Sequence, residues 1–171
     1  MNLRTSKAAD LPDLESLYPR AFPDEELLPL VRELLQAPDI ATSLASEIDS
    51  RVVGHIVFTT CGIEGQEVQA SLLGPLAVAP EWQGKGIGSH LVRHGLQRLE
   101  SEEVHIVCVL GDPAFYGRLG FKPERSISPP YALPEEWTDA WQSIRAADEA
   151  GEFPRTLSVP EPWRKPALWG P

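Results

Sequence analysis

The chain has 171 residues, a formal net charge of −10 and 42 % hydrophobic residues. That length builds one domain with a sizeable core and falls short of two ordinary ones, and the composition is normal for a folded soluble protein. The excess of acid argues against nucleic acid as a partner, because a phosphate backbone would be repelled; no apolar run reaches the length of a membrane span and MNLRTSKAAD is no signal peptide, so a cytoplasmic protein with no membrane partner is expected.

Asn2 to Ala8 is short and mixed, and reads as a first strand. Asp10 stands ahead of Leu11, Leu14, Leu17 and Tyr18, whose spacing predicts a helix with Asp10 as its N-cap; Pro12 is tolerated in a first turn. Leu30, Val31, Leu34 and Leu35 share one face of a second helix, with Pro29 in its first turn and Asp24, Glu25 and Glu26 as an acidic lead-in. Ala41 to Glu47 and Val52 to Cys61 read as strands joined by a turn at Asp49 and Ser50. His55, inside the second strand, is either a packed residue or, given access to a reacting group, a general base. Glu64 to Gln69 is polar, contains Gly65 and is expected to connect a hairpin. Cys61 and Cys108 lie in apolar runs and are expected as buried reduced thiols, a disulfide or a covalent intermediate being the other readings.

Leu72 to Ala79 is the pivotal strand, and Gly74-Pro75 interrupts it. Proline cannot donate to a ladder and glycine often marks a bulge, so the strand is expected to part from its neighbour and leave the peptide groups of Leu76, Ala77 and Val78 free to pair with an extended ligand; a simple bend is the other reading. The run Gln83-Gly84-Lys85-Gly86-Ile87-Gly88-Ser89 then enters an amphipathic helix with Ile87, Leu91, Val92, Gly95 and Leu99 on one face. Its glycines leave the backbone bare where the helix begins, and bare amides there make a site for a phosphate or pyrophosphate. Lys85 either adds charge for that phosphate or faces water. The spacing fits neither a Walker A loop nor the dinucleotide fingerprint.

Val104 to Leu110 is continuously apolar, as in a buried strand. In the following Gly111-Asp112-Pro113-Ala114-Phe115-Tyr116-Gly117-Arg118-Leu119-Gly120-Phe121, Asp112 fits an N-cap, Pro113 the first helical position and Gly120 a left-handed stop, so a helix of barely two turns is expected. Gln83-x-x-Gly86-x-Gly88 after Leu76-Ala77-Val78-Ala79-Pro80 resembles motif A of the GNAT superfamily of N-acetyltransferases. Tyr116 with Gly120-Phe121 resembles that family's tyrosine followed by x-x-x-G-F, and the G-D-P-x-F-Y form is similar to a bacterial subgroup whose members mostly lack assigned substrates.

The resemblance covers roughly residues 2–128. It implies an α/β GNAT fold, with a mixed, mostly antiparallel sheet and helices on both faces, and acyl transfer from acetyl-CoA to an amine acceptor. It implies that the amides and side chains of Gln83, Gly84, Lys85, Gly86, Ile87, Gly88 and Ser89 hold the pyrophosphate of coenzyme A and that Leu76, Ala77 and Val78 pair with pantetheine. Asp112 would cap its helix and border the pantetheine arm, and Phe115 would pack in the core or on the cofactor. Tyr116 would hand a proton to the departing thiolate, packing against the cofactor being its plainer role. In the family the loop carrying Asp24, Glu25 and Glu26 borders the acceptor, so those acids have a substrate role or simply solvate a helix start. A catalytically silent acyl-CoA sensor on the same fold is the alternative to an enzyme.

Ten of the 17 prolines follow position 112, so the composition shifts after Phe121, and residues 129–171 are expected to extend a single domain over 1–171. The family architecture implies a strand over Trp141 to Ala146 beside the one starting at Phe121; Thr156 to Val159 is expected as one more short strand. Trp137, Trp141, Trp163 and Trp169 give this tail large apolar anchors that cover the sheet, line an acceptor pocket or form a homodimer contact. The sequence has no metal-ligand cluster, so no metal is expected.

Overall fold

A computed structural model describes residues 1–145 and 154–171. It holds two compact units, Met1–Thr59 with Gly74–Arg98, and Thr60–Leu73 with Leu99–Pro171. The first contains β1 (Asn2–Thr5), α1 (Leu11–Ala21), α2 (Leu28–Leu35), β2 (Ala41–Ile48), β3 (Arg51–Ile63) as far as Thr59, β4 (Gln66–Val78) from Gly74, and α3 (Ile87–Ser101) as far as Arg98. The second contains the rest of β3 and β4, then β5 (Ile106–Leu110), α4 (Pro113–Gly117), β6 (Lys122–Pro123), β7 (Ile127–Ser128), β8 (Trp141–Arg145) and β9 (Arg155–Ser158).

In the first unit β1, β2 and β3 form an antiparallel meander, with Leu3 opposite Ser46 and Leu44 opposite Ile56. Asp49 and Ser50 close the β2–β3 hairpin with φ of 50° and 63°, the left-handed pair that matches the twist of the flanking strands. Successive strand residues point to opposite faces, and each face of β3 takes a helix. His55 meets Tyr18 of α1 on one side. On the other, α3 approaches so closely that a Cβ on Gly95 would sit 2.1 Å from Cε2 of Phe58. The apolar face predicted for α3 is the buried one: Ile87, Leu91, Val92 and Leu99 are all 5 % exposed or less.

In the second unit β4 and β5 run parallel, β5 and β8 antiparallel, β8 and β6 antiparallel; β9 pairs antiparallel with β3 and parallel with β7. The fold is therefore α/β with a mixed, mostly antiparallel sheet and helices on both faces, as expected. The strand predicted at Trp141 is present beside β6, with Lys122 opposite Ser143; Ala146 lies outside the described residues. Trp141, Trp163 and Trp169 pack together, with ring centroids 5.8 Å apart in both Trp141–Trp169 and Trp163–Trp169, so three of the four tail tryptophans serve this unit's own core. Glu124 ties its loops: its carboxylate accepts the N–H groups of Ser126 (2.7 Å) and Ile127 (2.8 Å) and the Ser143 hydroxyl (2.6 Å), and it pairs with Arg145. Burial alone would raise the Glu124 pKa; these donors outweigh it and hold it below the usual carboxylate range.

Two local expectations need correction. Asp10 does not cap α1 with its side chain, because both carboxylate oxygens face the Arg4 guanidinium at 2.8 Å and one also takes the Lys7 N–H. The hairpin connection is only Glu64-Gly65, and residues 66–69 already belong to β4, whose exposed start is polar. At Gly74-Pro75, as expected, β4 parts from its neighbour: the ladder to β5 ends at Leu73 opposite Val109, while β4 itself continues to Val78.

Candidate functional site

The predicted site residues fall in both units. In the first, Leu76 and Val78 are half-buried and Ala77 is buried at the end of β4, just ahead of the glycine loop. The chain turns through a short 3-10 segment, Pro80–Trp82, and residues 83–86 are exposed. Gly84 and Gly86 have φ of 73° and 85°, and a Cβ on either would meet nothing within 4 Å. They are glycines for conformation rather than for room, since other residues reach this region only at a penalty.

The His90 N–H donates to the Gly86 carbonyl at 3.0 Å, closing the first turn of α3. The N–H groups of Ile87, Gly88 and Ser89 therefore precede any intrahelical acceptor. They point out of the positive end of a 15-residue helix, the arrangement that receives an anion. The Gln83 side chain turns back on the strand, its amide donating to the Val78 carbonyl at 2.9 Å. Lys85 is exposed, with Nζ 4.7 Å from the centre of the Trp82 ring, so it is neither buried nor wholly free in water.

In the second unit, Asp112 caps α4 as predicted, accepting the Ala114 N–H at 2.9 Å. The helix is shorter than expected, five residues with Pro113 at its start. Tyr116 is 8 % exposed, its ring edge-on to Phe115 (4.9 Å) and Phe121 (5.4 Å). A Cβ on Gly111 would lie 2.4 Å from Cε2 of Tyr116, so the glycine that opens the motif makes room for this ring. Gln142 of β8 donates to the Gly111 carbonyl at 3.1 Å and anchors the same turn. Among the described residues nothing hydrogen-bonds the Tyr116 hydroxyl. Burial pushes its pKa above that of a free phenol, so it carries its proton through the physiological range.

His55 is a packed residue. It is fully buried, with Nδ1 2.7 Å from the Tyr18 hydroxyl and Nε2 2.6 Å from Ser43 Oγ. Ser43 gives its single proton to Ser6 Oγ at 2.9 Å. The Nε2–H must therefore donate to Ser43, which leaves Nδ1 to accept from Tyr18. Burial lowers the His55 pKa to about 4, partly opposed by Asp10. Cys61 and Cys108 are buried thiols that form no disulfide; burial pushes Cys61 up to about 12 and Cys108 higher, so neither is a ready nucleophile. Asp24, Glu25 and Glu26 are exposed. Among the described residues there is no group of three or more metal-ligating side chains and no helix long and apolar enough to cross a membrane.

The sequence did not signal the ion pair between Arg20 of α1 and Glu81, next to the glycine loop. Its partners stand 61 positions apart, and only the position of Glu81 directly before Trp82-Gln83 could have drawn attention to it.

Comparison with known proteins adds the following. Residues 11–121 match the Acetyltransferase (GNAT) family. The chain is 35 % identical over 147 residues to the uncharacterized N-acetyltransferase YjhQ of Escherichia coli K12, covering 81 % of each chain. It is 30 % identical over 154 residues to the uncharacterized N-acetyltransferase YhbS of the same strain, covering 88 % of this chain and 90 % of the other. Among solved structures, YhbS from Escherichia coli in complex with CoA superposes with a TM-score of 0.84 at 27 % identity, over 96 % of this chain and 92 % of that one. A GNAT family acetyltransferase from Brucella melitensis in complex with acetyl-CoA gives 0.76 at 26 %, over 95 % and 97 %.

Proposed function

Since the chain belongs to the GNAT family of acetyltransferases, we propose that it moves an acetyl group from acetyl-CoA to a primary amine of a small molecule or peptide, by direct attack in a ternary complex. The observation that carries this reading is the exposed loop at residues 83–86 running into the unpaired amides of Ile87, Gly88 and Ser89. Those amides take the pyrophosphate, with Lys85 as the nearby cation. Leu76, Ala77 and Val78 pair with the pantetheine amides as an added strand would, beyond the point where the ladder to β5 ends. The CoA and acetyl-CoA complexes of the two structural relatives support the choice of cofactor.

The amine nitrogen attacks the thioester carbonyl carbon. A C–N bond forms, the C–S bond breaks, and the electron pair leaves on sulfur. Tyr116 protonates that sulfur, and the proton shed by the new amide nitrogen restores the phenol. A phenol kept protonated by burial suits this step, since an ionised tyrosine could not donate. Asp112 and Phe115 fix the turn that carries it.

The experiment is thiol release from acetyl-CoA across a panel of amines, peptides and protein lysines. Turnover with at least one amine is expected. Tight acetyl-CoA binding with no turnover on any of them would replace the enzyme by a silent sensor.

A further inference from the structure

Trp82 has no part in the reading of the site so far, yet it is what Lys85 touches. A lysine side chain has a long stem whose rotamer freedom is costly to lose, and on an exposed loop its ammonium ordinarily wanders in water. Gly84 and Gly86, on either side of Lys85, have positive φ and carry no side chain that could steer it. Among the described residues the ammonium has no ion pair or hydrogen bond; its contact is the face of Trp82, with Nζ 4.7 Å from the ring centre. Glu81, a carboxylate close enough to feel the Lys85 charge, is paired with Arg20 instead. The indole is itself held. Trp82 is half-buried, closes the 3-10 turn Pro80–Trp82, and donates its backbone N–H to the Ala79 carbonyl at 2.8 Å.

An indole face attracts an ammonium through its quadrupole but offers no lone pair. The three N–H donors of Lys85 therefore stay free for a phosphate, whereas a carboxylate partner would first have to be given up. We propose that Trp82 is a positioning residue for the donor: its ring holds the Lys85 ammonium beside the glycine loop, where it meets the pyrophosphate received by the amides of Ile87, Gly88 and Ser89 without leaving the ring. The proposal rests on the acetyl-CoA reading of that loop and adds to it a residue that acts only through Lys85.

The test is a double-mutant cycle, read by calorimetric titration of the full chain with acetyl-CoA. Trp82→Leu and Trp82→Gln remove the aromatic face in two ways, Trp82→Phe keeps one, and Lys85→Gln removes the charge. Lys85→Gln should weaken binding about tenfold and the two ring-less variants about threefold, while Trp82→Phe stays within about twofold of the parent. Placed on Lys85→Gln, the loss of the ring should cost nothing further. A loss of the same size on that background would mean that the ring acts on the donor or the loop without Lys85, and would overturn the proposal. So would unchanged or tighter binding in Trp82→Leu and Trp82→Gln, tighter binding making the ring a competitor for the ammonium. Wild-type binding with no coupling sinks this inference alone; no wild-type binding of acetyl-CoA sinks the donor reading and this inference with it.

Discussion

Lowering the pH from 7.5 to 5 should destabilise this protein through one buried side chain. His55 is neutral in the fold, its pKa lowered to about 4 from 6.5 because burial disfavours the imidazolium, an effect the Asp10 charge only partly opposes. Above pH 6.5 both folded and unfolded chains carry it neutral, and stability is full. Between 6.5 and 4 the unfolded chain binds a proton that the folded chain refuses, so stability falls as pH falls; below 4 the slope from this group ends. Linkage over those two pKa values gives a loss of about 2 kcal/mol between pH 7.5 and 5, and about 3 kcal/mol in the acid limit. Asp10 and Glu124, with lowered carboxylate pKa values, add their losses only in more acid solution, so the upper window isolates the histidine. Urea unfolding at the two pH values, repeated on His55→Gln, reads the effect as a difference in slope rather than in absolute stability. Equal wild-type stability at both pH values, or the same slope in the variant, would refute the argument.

Three further outcomes follow from the geometry. Tyr116→Phe should lower kcat on the order of 10²-fold with little change in the KM for acetyl-CoA, measured where chemistry limits turnover; an unchanged kcat removes the phenol from the mechanism. Gly86→Asp combines a left-handed φ of 85° with a carboxylate beside the helix amides, so acetyl-CoA binding should vanish in calorimetry while the circular dichroism spectrum stays native. Gly95→Ala should destabilise by about 1–3 kcal/mol even though alanine favours helices, because the added methyl overlaps the Phe58 ring; a gain in melting temperature would contradict the packing of α3 on β3.

Much of this was legible from the sequence because it rests on local chemistry. The apolar spacing of Ile87, Leu91, Val92 and Leu99 marked the buried face of α3. Asp112, Pro113 and Gly120 marked the bounds of the short helix after β5, though not its brevity. What stayed hidden depends on partners far along the chain. Asp10 has the composition of a cap, but Arg4 claims its carboxylate. Residues 66–69 look like a loop because the start of β4 is exposed and needs no apolar alternation. The motif drew attention to Gln83 but gave no sign that its side chain bonds the Val78 carbonyl.

The link from Gln83 to the Val78 carbonyl bears on how a donor would be gripped. The strand end and the loop are joined by a side chain before any ligand arrives, so the entropy of ordering them is lost when the chain folds and not at encounter. Association should accordingly be a single fast phase with no slow rearrangement behind it. Gln83→Ala should loosen the hold through a more unfavourable binding entropy, while the heat of binding changes little.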